Sequence, residues 1–263
     1  MPFPDSPRVI YEKNPLAEVI CQLRFPAILR IDSAPPVEYQ ERLRKNYPLF
    51  KENQSQDLKL DLPVDLSSIL NANNPFPFRV QTSYEFVSAD GKWKVQLSRE
   101  SLTLSTTEYT RWEEFKDHLK GPLDELVSKY APSFYTRIGL RYKDIIKRSD
   151  LGLEGVEWSE LLRPAIAGEL NSRISNDVTQ CVKQLTIDLK AARGGQVALR
   201  HALVSNEKGE VCYLIDGDFF TTQRTEVDHA TQILDELNQQ SGRLFRWCIT
   251  DKLHESMGPG VVP

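Results

Sequence analysis

Phe134-Tyr135-Thr136-Arg137-Ile138-Gly139-Leu140-Arg141-Tyr142-Lys143-Asp144-Ile145-Ile146 lies at the middle of the chain and alternates as a half-buried strand does. Phe134, Ile138, Leu140 and Tyr142 fall on one face. Tyr135, Arg137, Gly139, Arg141 and Lys143 fall on the other. Much of the sequence before this strand reappears after it in diluted form, so the stretch is expected to organise two similar halves.

The correspondence holds nearly one spacing. Leu23-Arg24-Phe25 with Ile28 and Arg30 matches Leu140-Arg141-Tyr142 with Ile145 and Lys147, at 140 − 23 = 117. Val37-Glu38-Tyr39 matches Val156-Glu157-Trp158, at 156 − 37 = 119. Gly91 before Trp93, Val95 and Leu97 matches Gly209 before Val211, Tyr213 and Ile215, at 209 − 91 = 118. The closing helices agree as well, Phe115 with Ile233 and Leu119 with Leu237.

Element signals run in the same order twice. Ala17, Val19, Cys21, Leu23 and Phe25 make one side of a strand, and Pro35-Pro36 opens a short helix with Tyr39, Leu43 and Tyr47 stacked. Leu58, Leu60, Leu62 and Val64 hint at a strand, and Asn71-Ala72-Asn73-Asn74-Pro75 reads as a loop. A meander follows from Phe78, turning at Ala89-Asp90-Gly91 and again at Ser98-Arg99-Glu100-Ser101. Trp112, Phe115, Leu119, Leu123, Leu126 and Tyr130 form the buried stripe of a long helix, which Gly121-Pro122 should kink or split.

After the central strand come a helix over about 158–170 and strands at 181–190, 196–204 and 211–215. A last helix runs over roughly 225–250. The expected fold is α+β: two strand–helix–antiparallel-meander–helix halves sharing one curved sheet, with the long helices on one side. The divisions are an extended lead-in 1–16, half-repeats 17–132 and 133–254, and an irregular tail 255–263.

This repeated unit resembles the arrangement of TATA-box-binding-protein-like folds, in which two halves join edge to edge around a pseudo-twofold axis. The likeness is one of topology and implies no function. Asn14-Pro15-Leu16-Ala17-Glu18-Val19, Arg137-Ile138-Gly139-Leu140-Arg141-Tyr142, Leu214-Ile215-Asp216-Gly217-Asp218-Phe219 and Ile249-Thr250-Asp251-Lys252-Leu253 resemble an uncharacterised family of sporadically distributed bacterial proteins. That resemblance spans nearly the whole chain and implies no activity. The patchy distribution implies an accessory, defence or toxin–antitoxin setting.

Composition bounds the function classes. The 263 residues are 40% hydrophobic and 27% charged, with a formal net charge of −4. An acidic balance disfavours non-specific nucleic-acid binding, so a protein partner is expected over nucleic acid. No apolar run reaches the length of a membrane span, and the N-terminus lacks a signal-peptide pattern. The four cysteines, Cys21, Cys181, Cys212 and Cys248, are far apart and read as small buried residues. A cytoplasmic protein with no cofactor is the expectation, and an unpaired edge strand leaves a homodimer open.

Two sets of residues compete for the site. Gln22, Arg24, Tyr135, Arg137, Arg141 and Lys143 share the wet face of the two matching strands, with Arg79, Gln81 and Glu85 as outlying members. Such a face could hold a phosphate backbone, an acidic protein segment or a nucleotide, although cross-strand pairing with Asp or Glu would account for the same pattern. A metal- or nucleotide-dependent enzyme would instead use Asp188, His201, Asp216 and Asp218. Against it, Asp216-Gly217-Asp218 reads as a tight turn, and His201 alternates with Val197, Leu199 and Leu203 as a core histidine would. His118, His229 and His254 read as solvated. A small-ligand pocket between sheet and helices is a third possibility.

Overall fold

The computed structural model describes residues 2–56, 80–189 and 194–261. The first part of the chain forms strands β1 Val9–Tyr11 and β2 Leu16–Arg24, then helices α1 Leu29–Ser33 and α2 Val37–Leu43. Strands β3 Leu49–Gln56, β4 Val80–Val87, β5 Trp93–Ser98 and β6 Ser101–Thr106 lead into helix α3 Trp112–Tyr130. After β7 Arg137–Ile146 come three single-turn helices, α4 Arg148–Leu151, α5 Trp158–Leu161 and α6 Pro164–Ala167. Strands β8 Val182–Asp188, β9 Gln196–Ser205 and β10 Val211–Thr221 precede α7 Ala230–Cys248, α8 Asp251–Ser256 and β11 Pro259–Val261.

Nine strands make one antiparallel sheet in the order β3-β4-β5-β6-β2-β7-β10-β9-β8. At its centre β2 pairs with β7, aligning Val19 with Tyr142, Cys21 with Leu140 and Leu23 with Ile138. Because strand side chains alternate, those aligned residues all fall on one face. The adjacent strands add Leu102 and Leu104 from β6 and Phe219 from β10 to it, and all of these are buried. Helix contacts run to this face: Tyr39 of α2 packs on Phe86, Phe115 of α3 on Trp93, and Trp158 of α5 on Tyr213. The architecture is therefore α+β, helices laid against an antiparallel sheet.

Several expectations change. Asp216-Gly217-Asp218 is not a turn; it lies inside β10, paired to β7 on one side and β9 on the other. The glycine fits a strand here because a Cβ at position 217 would come 2.8 Å from the Phe219 ring, so the Asp-Gly signal reflects packing. The turn between β9 and β10 falls at Asn206 to Glu210, around the expected Gly209, where Asn206 Oδ1 accepts from the Lys208 and Glu210 amides. The spacing of 118 residues therefore lines β5 up with β10, whereas the strand beside β2 that corresponds to β10 beside β7 is β6.

Gly121-Pro122 does not split α3, which runs unbroken through Pro122. Proline leaves the carbonyl four residues back without its helical donor. That carbonyl belongs to His118, and the Tyr47 hydroxyl lies 3.3 Å from it. The 158–170 helix is broken into α5, α6 and a 3-10 turn at Gly168–Asn171. The lead-in and tail are ordered together: β1 pairs with β11, and the Glu12 and Lys13 amides donate to Gly258 and Met257 carbonyls. Strand β3 lacks an alternating pattern because it is an edge strand, with Leu49 and Phe50 left about half exposed. Leu58, Leu60, Leu62, Val64, the 71–75 loop and Arg79 lie outside the described residues.

Among the described residues no helix is long and apolar enough to cross a membrane.

Candidate functional site: an acid-floored cleft beneath the sheet centre

The face of the sheet turned away from the helices carries the expected basic residues, but two of them, Arg137 and Arg141, are matched to acids. Arg141 donates from Nε and Nη2 to the two oxygens of Asp216 at 2.7 and 2.6 Å. Arg137 holds both oxygens of Asp218 at 2.8 Å and reaches Gln22 Oε1 at 3.4 Å. Its guanidinium crosses Gly139, where a Cβ would collide with it, and rests on the Phe220 ring. Arg24 donates from Nε to the same Gln22 oxygen at 2.9 Å. Lys143 stands opposite Glu18 on β2 and Asp216 on β10, and no carboxylate lies within ion-pair distance of it among the described residues. Glu85 pairs with Lys94. The cross-strand pairing accounts for Arg137 and Arg141.

Tyr135 is not on this face. It is fully buried, its backbone is bridged to Thr225, and its hydroxyl has no hydrogen-bond partner. The regular strand begins only at Arg137, with a bend at Thr136, so alternation counted back to Tyr135 gives the wrong side.

The acid and histidine cluster is not assembled either. His201 is on the core face, its Nδ1 2.7 Å from the Tyr213 hydroxyl, and burial lowers its pKa. Asp216 and Asp218 project from the opposite side of the sheet, and Asp188 is exposed at the end of β8. Among the described residues no group of three or more His, Cys, Asp or Glu is placed to hold a metal ion. His118 is not free in solvent: its ring stacks on Trp93 at 3.7 Å. His254 is hydrogen-bonded to the Tyr11 hydroxyl at 2.7 Å.

A concavity of about 690 Å³ lies on the helix side, where the sheet centre, the start of α3, α7 and the N-terminal segment meet. That volume falls within the range of small-molecule sites. The N-terminal segment forms one wall because two contacts fix it. The β1–β11 ribbon holds its far end, and Arg8 clamps Glu113 at 2.7 and 2.8 Å. These charge-assisted bonds hold the Glu113 carboxyl well below the usual range. Tyr11, Tyr109, Trp112, Tyr142 and Phe245 give the cleft aromatic walls.

Polar groups on the walls are largely occupied with one another. Tyr142 donates to Asn238 Oδ1 at 2.8 Å, and Ser241 donates to the Asn238 carbonyl at 2.7 Å. Trp112 Nε1 and Lys116 Nζ both donate to Asp235 Oδ1, at 2.6 and 2.8 Å. Arg246 turns to the Ile249 carbonyl and Asp251, and Arg243 binds Asp5.

Asp144 is the exception. It is 7% exposed, lines the cleft, and no described donor lies within hydrogen-bonding or ion-pair distance of its carboxyl. Burial, with a smaller contribution from the Asp216 charge, pushes its pKa up to about 8. The sequence carries one signal for it. Asp144 shares the parity of Ile138, Leu140 and Tyr142, so the alternation that defined the strand already placed an acid on the apolar face.

A scan against protein-family models finds no match to this chain. A search of curated proteins likewise finds none. The site is read from its own geometry.

Proposed function

We propose that the chain is a binding protein whose small-molecule ligand occupies the cleft between the sheet centre, α3 and α7. The observation that carries this is Asp144. A carboxyl so far removed from water, with no described protein donor, is costly to ionise, and here it forms the floor of a ligand-sized cleft with aromatic walls. Gly242 of α7 lines the same cleft, and a Cβ there would meet nothing within 4 Å. A ligand-observed NMR screen of a small-fragment library against wild type and Gly242→Trp tests the reading. Fragments that bind wild type and are lost from a folded Gly242→Trp variant support it. A library with no fragment sensitive to that substitution overturns it.

A second reading concerns the open sheet face. Arg24 and Lys143 have no carboxylate within ion-pair distance among the described residues, and the helix–sheet contacts fall on the other face. We infer a surface for an acidic segment of a partner protein, since the net charge of −4 does not favour nucleic acid. Its test is titration with a polyglutamate peptide. Binding that Arg24→Glu/Lys143→Glu removes supports the surface, and no binding at low salt counts against it.

Internal duplication is proposed on the same footing. Outward from the β2–β7 pair come β6 and β10, then β5 and β9, then β4 and β8. A long helix follows β6 in one half and β10 in the other.

A further inference from the structure

Resting on the cleft as a ligand site, we propose that its ligand is an organic amine whose ammonium group docks on Asp144, with its carbon skeleton against the aromatic walls. The polar inventory points to a donor. Tyr142, Ser241, Trp112, Lys116 and Arg8 all give their hydrogens to acceptors of the protein itself. What the floor lacks is a donor for the Asp144 carboxyl. A ligand anion would find the nearby cations already paired and an acid beneath it. A ligand cation would find an unmatched carboxyl and several π faces, which attract ammonium groups. A bare metal ion would find too few ligating side chains among the described residues.

Binding must move a proton. The Asp144 carboxyl is largely protonated at neutral pH, so an ammonium R–NH₃⁺ meets HOOC–Asp144. The products are the ion pair R–NH₃⁺ with ⁻OOC–Asp144 and one H⁺ released to solvent. No bond to carbon changes. Asp216 on β10 acts on this carboxyl, and the carboxyl in turn acts on Tyr11 of β1 and on Cys248 at the end of α7. Arg246 acts on Tyr11, and Tyr142 lies two residues away on the same face. Burial pushes Tyr11 up to about 12 and raises Cys248 and Tyr142 as well, away from the interval between pH 6 and 8 in which Asp144 changes charge. Linkage then requires amine affinity to climb with pH, approaching about tenfold per unit below pH 7 and flattening near 8.

The experiment is calorimetric titration of wild type and Asp144→Asn with 2-phenylethylamine and with its neutral isostere 2-phenylethanol, at pH 6, 7 and 8. Buffers of different ionisation enthalpy report the proton. The expected result is at least tenfold tighter amine binding at pH 8 than at pH 6, with close to one proton released at pH 6. Asp144→Asn should weaken the amine at least tenfold and remove its pH dependence, leaving the alcohol unchanged. Should the variant not fold, the wild-type pH series and proton count decide alone.

Amine affinity that is flat with pH, equal in the variant, or no better than the alcohol's overturns the inference. So does an absence of amine binding. If the alcohol alone binds, or the fragment screen finds neutral ligands sensitive to Gly242→Trp, the cleft remains a ligand site and only the amine is wrong.

Discussion

Asp144 and Asp216 stand on adjacent strands with their carboxyls on opposite faces of the sheet, and only one of them has a partner. Asp216 is gripped by Arg141 through two short bonds, whereas Asp144 is buried among aromatic side chains without a donor. Two acids of the same kind are thus driven to different states by their surroundings.

The first consequence is a pH dependence of stability. The Asp144 pKa is about 8 when folded, against an ordinary carboxyl value of about 3.9 when unfolded. Above pH 4 the unfolded chain gives up this proton while the folded one keeps it. Stability therefore falls as pH rises from about 4 to about 8, with a limiting slope of about 1.4 kcal/mol per unit from this group. Asp144→Asn removes the slope and is expected to be more stable than wild type at pH 8 by at least about 2 kcal/mol. Urea unfolding of both proteins at pH 5 and pH 8 measures it. Parallel changes in the two would show that Asp144 ionises freely.

The Arg141–Asp216 pair makes a different demand. Asp216 is 5% exposed, so removing the guanidinium leaves a nearly buried charge unmatched. Arg141 itself is partly open to solvent, which reduces the cost. Arg141→Met should destabilise by roughly 1–3 kcal/mol, and adding Asp216→Asn should restore a good part of it. The interaction energy from that double-mutant cycle is the quantity to measure. A value near zero would mean that the two bonds contribute nothing beyond solvent.

The sheet and the long helices were legible because their signals are local and periodic. Ile138, Leu140 and Tyr142 declare a buried face by alternation, and Trp112, Phe115 and Leu119 declare a helix stripe. The Asp216-Gly217-Asp218 error arose because a glycine required by the Phe219 ring looks the same in sequence as one required by a turn. Tyr135 was misplaced by a bend at Thr136 that alternation does not reveal. The pairing of Arg137 with Asp218 and of Arg141 with Asp216 depends on which strands become neighbours, and spacing alone does not carry that. Asp144 was visible as an acid at an apolar position. Its isolation becomes apparent only when α7 and the N-terminal segment are seen to enclose it.

Acid should act through two shielded histidines with the opposite sign. Burial lowers the pKa of His118, stacked on Trp93, and of His201, bonded to Tyr213. A histidine kept neutral when folded costs stability once the unfolded chain can take its proton, below its ordinary value of about 6.5. Stability is thus lost as pH falls below about 6.5, against the gain from Asp144 over the same interval. Between pH 7 and pH 5 His118→Gln/His201→Gln should lose less stability, or gain more, than wild type, each referred to its own value at pH 7. Hydrogen-exchange protection of the β5 and β9 amides would report it. An unchanged loss would assign acid sensitivity elsewhere.

The helical donor that Pro122 withholds inside α3 gives a test of local rescue. With the His118 Nδ1 proton donated to Tyr47, whose hydroxyl oxygen is 3.1 Å away, the tyrosine O–H is left to serve the carbonyl of His118. Tyr47→Phe then removes two neutral hydrogen bonds, of which the one at the half-buried carbonyl contributes about 1 kcal/mol. In a Pro122→Ala background the alanine N–H can take that carbonyl in the ordinary helical way, so the same substitution at Tyr47 should cost clearly less. The comparison depends on the difference between two backgrounds, so any cavity left by Pro122→Ala cancels. Thermal unfolding of the four proteins supplies the numbers. Equal costs in both backgrounds would show that the Tyr47 hydroxyl acts on the His118 ring alone, and that α3 tolerates Pro122 without help from α2's flank.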